Sequence, residues 1–344
     1  GPGSGTRAGS YLSIQGGGDF NGDGYDELLI ATPDVASAAD RAAYLVFGAP
    51  DTPADFDLPT LGAGGGFKFT AASGSQTGGT MFSAGDLNGD GYDDLVVGSN
   101  SKAYVVFGAP SVATLITAES LNGSNGLSIA GVSSVLSSGG DFNGDGYDDL
   151  VLADSFGSKA YVVFGKAGGF GATFNLASLD GNNGFAIQAN WIGSVGNGGC
   201  LTGDFNADGY DDLIVGVPRD GAGSALLIYG HAGTTDSLVT VGEIDGYNGL
   251  RITGVSADDQ AGAGLAAADL NGDGFDDILI GSAFGDGDAK DSGTLDIIDP
   301  GSSACTDSFP GADVAMRFPG SRTQFDSITG ESVFSMGYCY EVPD

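Results

Sequence analysis

Five short stretches hold the residues best suited to chemistry. DFNGDGYDE begins at Asp19, DLNGDGYDD at Asp86, DFNGDGYDD at Asp141, DFNADGYDD at Asp204 and DLNGDGFDD at Asp269. Each offers oxygen donors at positions 1, 3, 5 and 9, a glycine at position 6, and an aromatic residue at position 7 whose backbone carbonyl can turn inward. Hard oxygens at this spacing suit a hard divalent cation, Ca²⁺ above all, which takes about six to eight such ligands. The glycine supplies the positive φ needed to wrap a chain around an ion. The expected ligand sets are Asp19, Asn21, Asp23, the Tyr25 carbonyl and Glu27, followed by Asp86, Asn88, Asp90, the Tyr92 carbonyl and Asp94. The third and fourth are Asp141, Asn143, Asp145, Tyr147 and Asp149, and Asp204, Asn206, Asp208, Tyr210 and Asp212. The fifth is Asp269, Asn271, Asp273, Phe275 and Asp277. About five Ca²⁺ ions with a structural role are expected.

Acids at positions 1, 5, 8 and 9 supply 20 of the 45 acidic residues, and crowding them so tightly without a cation would be strongly repulsive. The bland alternative is a set of solvated acidic hairpin turns, because Asp-Gly and Asn-Gly are common turn signals. An EF-hand is disfavoured. It requires an acidic ligand at position 12, where this chain has Ile30, Val97, Leu152, Val215 and Ile280.

The loops recur about every 60 residues, and each is followed by an aromatic and β-branched run such as AYLVFG, AYVVFG or ALLIYG, then by GFKFTA, GLSIAG, GFAIQA or GLRITG. These short apolar runs are bounded by Gly, Asn and Asp, which predicts strands throughout and almost no helix. Each unit reads as strand A before the loop (GTMFSAG), B after it (DLVVGS), then C (AYVVFG) and D (GLSIAG). A four-stranded sheet of about 60 residues cannot bury both faces alone, so neighbouring sheets must stack. The expected fold is an all-β propeller of four-stranded antiparallel blades. Residues 1–10 read as a tag scar and linker, 11–300 as propeller repeats, and 301–344 as a closing segment or degenerate blade. Five, six or seven blades remain open, because FDSITG and ESVFSMGYCYEV look like a D and an A strand with no acidic loop after them.

Composition narrows the function. A formal net charge of -34 excludes nucleic acid as a natural partner. No apolar run approaches the roughly 18 residues of a membrane span. The start Gly1-Pro2-Gly3-Ser4 implies that any native signal or anchor has been removed. Three cysteines are too few for a disulfide scaffold, although Cys305 and Cys339 could pair. His231 is the one histidine, and no nucleophile elbow, zincin motif, P-loop or dinucleotide fingerprint occurs. An enzyme is not expected.

The five loops, each followed by LLIAT, LVVGS or LIVGVP and then AYVVFG, resemble the FG-GAP repeats of the integrin α-subunit propeller, over about Tyr11 to Pro300. LNGSNGLSIAG, LDGNNGFAIQA and IDGYNGLRITG look most like bacterial and other non-animal members. The resemblance implies Ca²⁺ held in the A to B hairpins on one rim, and an extracellular adhesion or ligand-binding module within a larger surface or secreted protein. Its partner would be a protein or cell-surface ligand. Some propellers with similar loops are lectins, so a Ca²⁺-dependent carbohydrate-binding propeller is the alternative. Ligand identity does not transfer from the family.

If the acidic loops occupy one rim, the B to C and D to A loops share the opposite face. The B to C loop is long in units one (Pro33 to Arg41) and five (Ala283 to Ser292), and intermediate in unit four (Pro218 to Gly223). Arg41, Arg219 and Lys290 lie there, and Trp191 precedes unit four. Arg and aromatic side chains are favoured recognition anchors, which makes these four the ligand-face candidates.

Overall fold

A computed structural model describes residues 14–32, 41–51, 58, 61–62, 64–71, 77–78, 80–99, 101–132, 134–138, 140–154, 159–189, 200–244, 246–256, 258–270, 276–285, 293–298 and 313–314. The expected strands form. In the second sheet A, B, C and D are Met81–Gly85, Asp94–Gly98, Lys102–Val106 and Gly126–Ala130, paired antiparallel in that order. The first sheet comprises Ile14–Gly16, Leu28–Ala31, Ala43–Val46 and Gly66–Thr70. The third comprises Ser134–Ser138, Leu150–Asp154, Lys159–Val163 and Gly184–Gln188. The fourth comprises Cys200–Gly203, Asp212–Val217, Ser224–Ile228 and Gly249–Thr253. A, B and C of the fifth are Ala261–Ala268, Asp277–Ser282 and Thr294–Ile298. The sequence-predicted D strand of that unit, and the expected closing segment 301–344 apart from Asp313–Val314, lie outside the described residues.

Each of the first four sheets carries a strand that the four-strand reading missed. Leu115–Thr117, from the C to D connection of unit two, pairs in parallel with strand D of the first sheet. Thr173–Phe174, Leu238–Thr240 and Asp313–Val314 do the same for the second, third and fourth sheets. The extra strands of units two, three and four run into single 3-10 turns at Ala118–Ser120, Leu176–Ser178 and Val241–Glu243. The chain then turns into strand D through an Asn bridge. Asn125 accepts from the Asn122 amide and donates to the Ser120 carbonyl, and Asn183 does likewise between Asp180 and Ser178. These polar, turn-forming residues obscure the short strands beside them.

The core lies between the sheets. Strand B of the second sheet is buried along its whole length because both its faces are covered. Leu95 and Val97 pack toward the first sheet with Phe67 and Phe69, while Val96 packs toward the third with Leu150 and Leu152. Val151 then points the other way, joining Leu213, Val215 and Leu226, and Ile214 joins Ile278 and Ile280. Period-two alternation thus feeds two cores from the B strands of the second, third and fourth sheets. The A strands of successive sheets adjoin one another, the arrangement of propeller blades.

Leu152, wholly buried between two sheets, and Leu295, 43 % exposed on the fifth sheet, offer a direct comparison. Leu152→Ala is expected to lower unfolding free energy by about 2–5 kcal/mol and Leu295→Ala by no more than about 0.5 kcal/mol. Urea denaturation of the two variants checks this.

Candidate metal centre

Every acidic loop joins strand A to strand B of its sheet, so the five recur at the same edge. In the first, Asp19 accepts from the amides of Asp23 and Gly24, at 3.0 and 2.9 Å. Asn21 accepts from the Asp23 amide and Asp23 from that of Tyr25. The second, third and fourth loops repeat the first-position contacts with Asp86, Asp141 and Asp204. The position-6 glycines Gly24, Gly91, Gly146 and Gly209 have φ of 86° to 90°. A Cβ there would meet no atom, so backbone conformation alone demands glycine.

The ninth-position acid is the first residue of strand B or the one just before it, and is buried. Glu27 accepts from the Phe20 amide, Asp149 from Phe142, and Asp212 from Phe205, each across the base of its own loop. A second donor arrives from the end of strand C: the amides of Gly108, Gly165 and Gly230 donate to Asp94, Asp149 and Asp212, each at 2.9 Å. These glycines end the recurrent Phe-Gly or Tyr-Gly pair. A Cβ on Gly108 would press on the Asp93 and Phe20 carbonyls. They belong to the site although ligand spacing did not single them out. The glycine that recurs after the first four C strands, Gly48, Gly108, Gly165 and Gly230, was the available signal.

Burial pushes the carboxyl groups of Asp94 and Asp149 up to about 8, and those of Glu27 and Asp212 up to about 7, with neighbouring loop acids adding to the rise. The backbone amides act in the opposite sense but do not overcome desolvation. No Lys or Arg lies within ion-pair distance of these four acids among the described residues. Carboxylate oxygens of Asp19, Asp23 and Glu27 lie within 4.8 Å of one another. Glu27 Oε1, Asp94 Oδ2 and Asn88 Oδ1 are buried without a hydrogen-bond partner. Buried oxygens left open beside further carboxylates, with no basic group to balance them, fit a hard cation.

The ligand residues expected at the first four loops are thus brought together at one edge. In the fifth, Asp277 is buried and accepts from the Leu270 amide, while Asn271, Asp273 and Phe275 lie outside the described residues. All five position-12 residues are buried strand residues, which rules out an EF-hand. Eighth-position acids, grouped by the sequence with their own loops, instead reach the preceding one: Asp93 accepts from the Asp19 amide, Asp148 from Asp86, and Asp211 from Asp141. Of the ligand-face candidates, Arg219 is exposed just after strand B of the fourth sheet and Arg41 is half-buried just before strand C of the first. Both lie at the edge opposite the acidic loops. Trp191 and Lys290 lie outside the described residues, as do Cys305 and Cys339.

Stacked sheets with an acidic, cation-type hairpin at each A to B junction define a repeat-built β-propeller. The FG-GAP repeat model matches residues 12–44, 78–106, 195–229 and 261–298, and each match runs through an acidic loop into strand C. The chain carries FG-GAP repeats and is an integrin α-like propeller. The loop at Asp141 falls outside the matched residues yet makes the same hydrogen bonds. Integrin alpha-7 of Homo sapiens is 41% identical over 93 residues, covering 25% of this chain and 7% of the relative. Integrin alpha-5 of Xenopus laevis is 25% identical over 223 residues, covering 58% and 19%. Phosphatidylinositol-glycan-specific phospholipase D of Dictyostelium discoideum is 28% identical over 177 residues, covering 46% and 18%. The chain spans less than a fifth of each of these relatives.

With no cation bound, the raised acids make folding proton-linked. The folded state holds protons that the unfolded chain, with carboxyl groups near 4, releases, so stability falls as pH rises from about 4 to about 8. In chelator the melting temperature is expected to be lower at pH 8.5 than at pH 5.5. Asp149→Asn, which cannot titrate, should make that dependence shallower in thermal melts across the range.

Proposed function

We propose that the chain is an extracellular, Ca²⁺-stabilised β-propeller that serves as the ligand-binding or adhesion module of a larger surface or secreted protein. The observation that carries this reading is the repeated buried ninth-position carboxylate, set against other acids without a basic partner, in a chain with FG-GAP repeats and integrin α relatives. About five Ca²⁺ ions, one per loop, would supply the missing positive charge. Asp19, Asn21, Asp23 and Glu27 and their counterparts would hold them, with the Tyr25, Tyr92, Tyr147, Tyr210 and Phe275 carbonyls completing the sets. The partner is a protein or cell-surface ligand, met by the edge that carries Arg41 and Arg219.

The reading is of a binding module rather than an enzyme. His231 is exposed, with its ring near the Ala232 carbonyl and the Thr235 hydroxyl. No helix among the described residues is long and apolar enough to cross a membrane.

Calcium calorimetry on the chelator-treated chain is expected to give about five sites. Each should add about 1.4 kcal/mol of stability at tenfold excess over its Kd, and Asp149→Ala should remove one site. Absence of calcium binding would overturn the metal reading. A glycan array in millimolar Ca²⁺, repeated in chelator, tests the ligand class: calcium-dependent saccharide hits would replace the protein-ligand reading with the carbohydrate-binding one.

A further inference from the structure

The eighth-position acids belong to two loops at once. Asp93 stands between Tyr92 and Asp94, two expected ligands of the second loop, yet its Oδ2 accepts from the Asp19 amide of the first loop at 2.8 Å. The contact is reciprocal, because the Asp93 amide donates to the Asp19 carbonyl at 3.2 Å. Asp148 repeats both bonds with Asp86, at 2.7 and 3.4 Å, and also accepts from the Gly140 amide. Asp211 repeats them with Asp141, at 2.7 and 3.2 Å. Each link therefore clamps the first ligand residue of one loop to the ligand-bearing arm of the next.

A second contact runs alongside. The ring of Tyr92 lies over Gly22 of the first loop, Tyr147 over Gly89, and Tyr210 over Gly144, so closely that a Cβ on any of these glycines would collide with the ring. The acid link is not repeated at the fourth loop among the described residues. There Ala207 replaces the glycine, with φ of 60°, and Asp276 of the fifth loop is exposed without the corresponding bond to Asp204 among the described residues. Asp26 of the first loop is likewise exposed, whereas Asp93, Asp148 and Asp211 are half-buried.

We propose that Asp93, Asp148 and Asp211 are positioning residues that couple the cation sites of loops one to four, so that these fill cooperatively while the fifth fills independently. The inference rests on the metal reading above. An ion fixing Tyr92 and Asp94 also fixes Asp93, and hence the backbone of Asp19, which lowers the ordering cost of the neighbouring site. Linkage requires the effect to be reciprocal.

The test is a calcium titration by calorimetry of the whole chain, with Asp148→Ala, Asp148→Asn and Asp26→Ala beside the wild type, and chelator melts as a control for folding. Cooperative filling is expected for the wild type. Asp148→Ala should keep the ion stoichiometry, reduce the Hill slope, and weaken the sites of loops two and three about fivefold or more. Asp148→Asn, which keeps an acceptor oxygen, should restore the slope, and Asp26→Ala should leave it unchanged. A strut with no coupling role would lower the chelator melt while leaving the slope as in the wild type, and that result overturns the proposal. Non-cooperative binding by the wild type overturns the coupling and leaves the metal reading standing, whereas no binding at all removes both.

Discussion

The architecture turns on a buried carboxylate at the start of each B strand, either its first residue or the one just before it. Asp94, Asp149 and Asp212 sit where a charged group is costly, and are held by a main-chain amide from the end of strand C. One side chain therefore ties the loop, strand B and strand C of a sheet together. The same contact requires glycine to supply the amide, since a Cβ there would press against the carbonyls of two neighbouring loops. The Phe-Gly ending of the repeat and its acidic loop are two halves of one interaction.

Stacking follows from it. Once the loop sets the entry into strand B, alternation sends Val96 to one neighbour and Leu95 and Val97 to the other, so the second sheet shares its core with both neighbours. The neighbouring loops are then near enough for an acid of one to accept a main-chain amide of the previous one. The carboxylate-rich edge is cohesive where it is bonded to backbone, and it is where uncompensated charge accumulates.

Much of this was legible in the residues. The runs LVVG and AYVV give strands B and C because period-two patterning and β-branching agree there, and glycine at position 6 announces its positive φ. The role of Asp93 was not legible, because its sequence neighbours are ligand-type residues and its partner lies 74 residues away. Nor were the parallel outer strands: Thr173–Phe174 and Leu238–Thr240 are too short for periodicity to register, and their partners belong to the preceding unit. Local pattern marks what a residue does within its own unit and is silent on contacts made across units.

Those outer strands set an order of completion during synthesis. Strand D of the first sheet ends at Thr70, but the strand that covers its edge begins at Leu115. As the chain leaves the ribosome, each of the first four sheets must wait, with an open edge, for about 45 to 60 further residues before its outer strand exists. The growing protein therefore always carries one unfinished sheet, and the seal moves from unit to unit behind the nascent end.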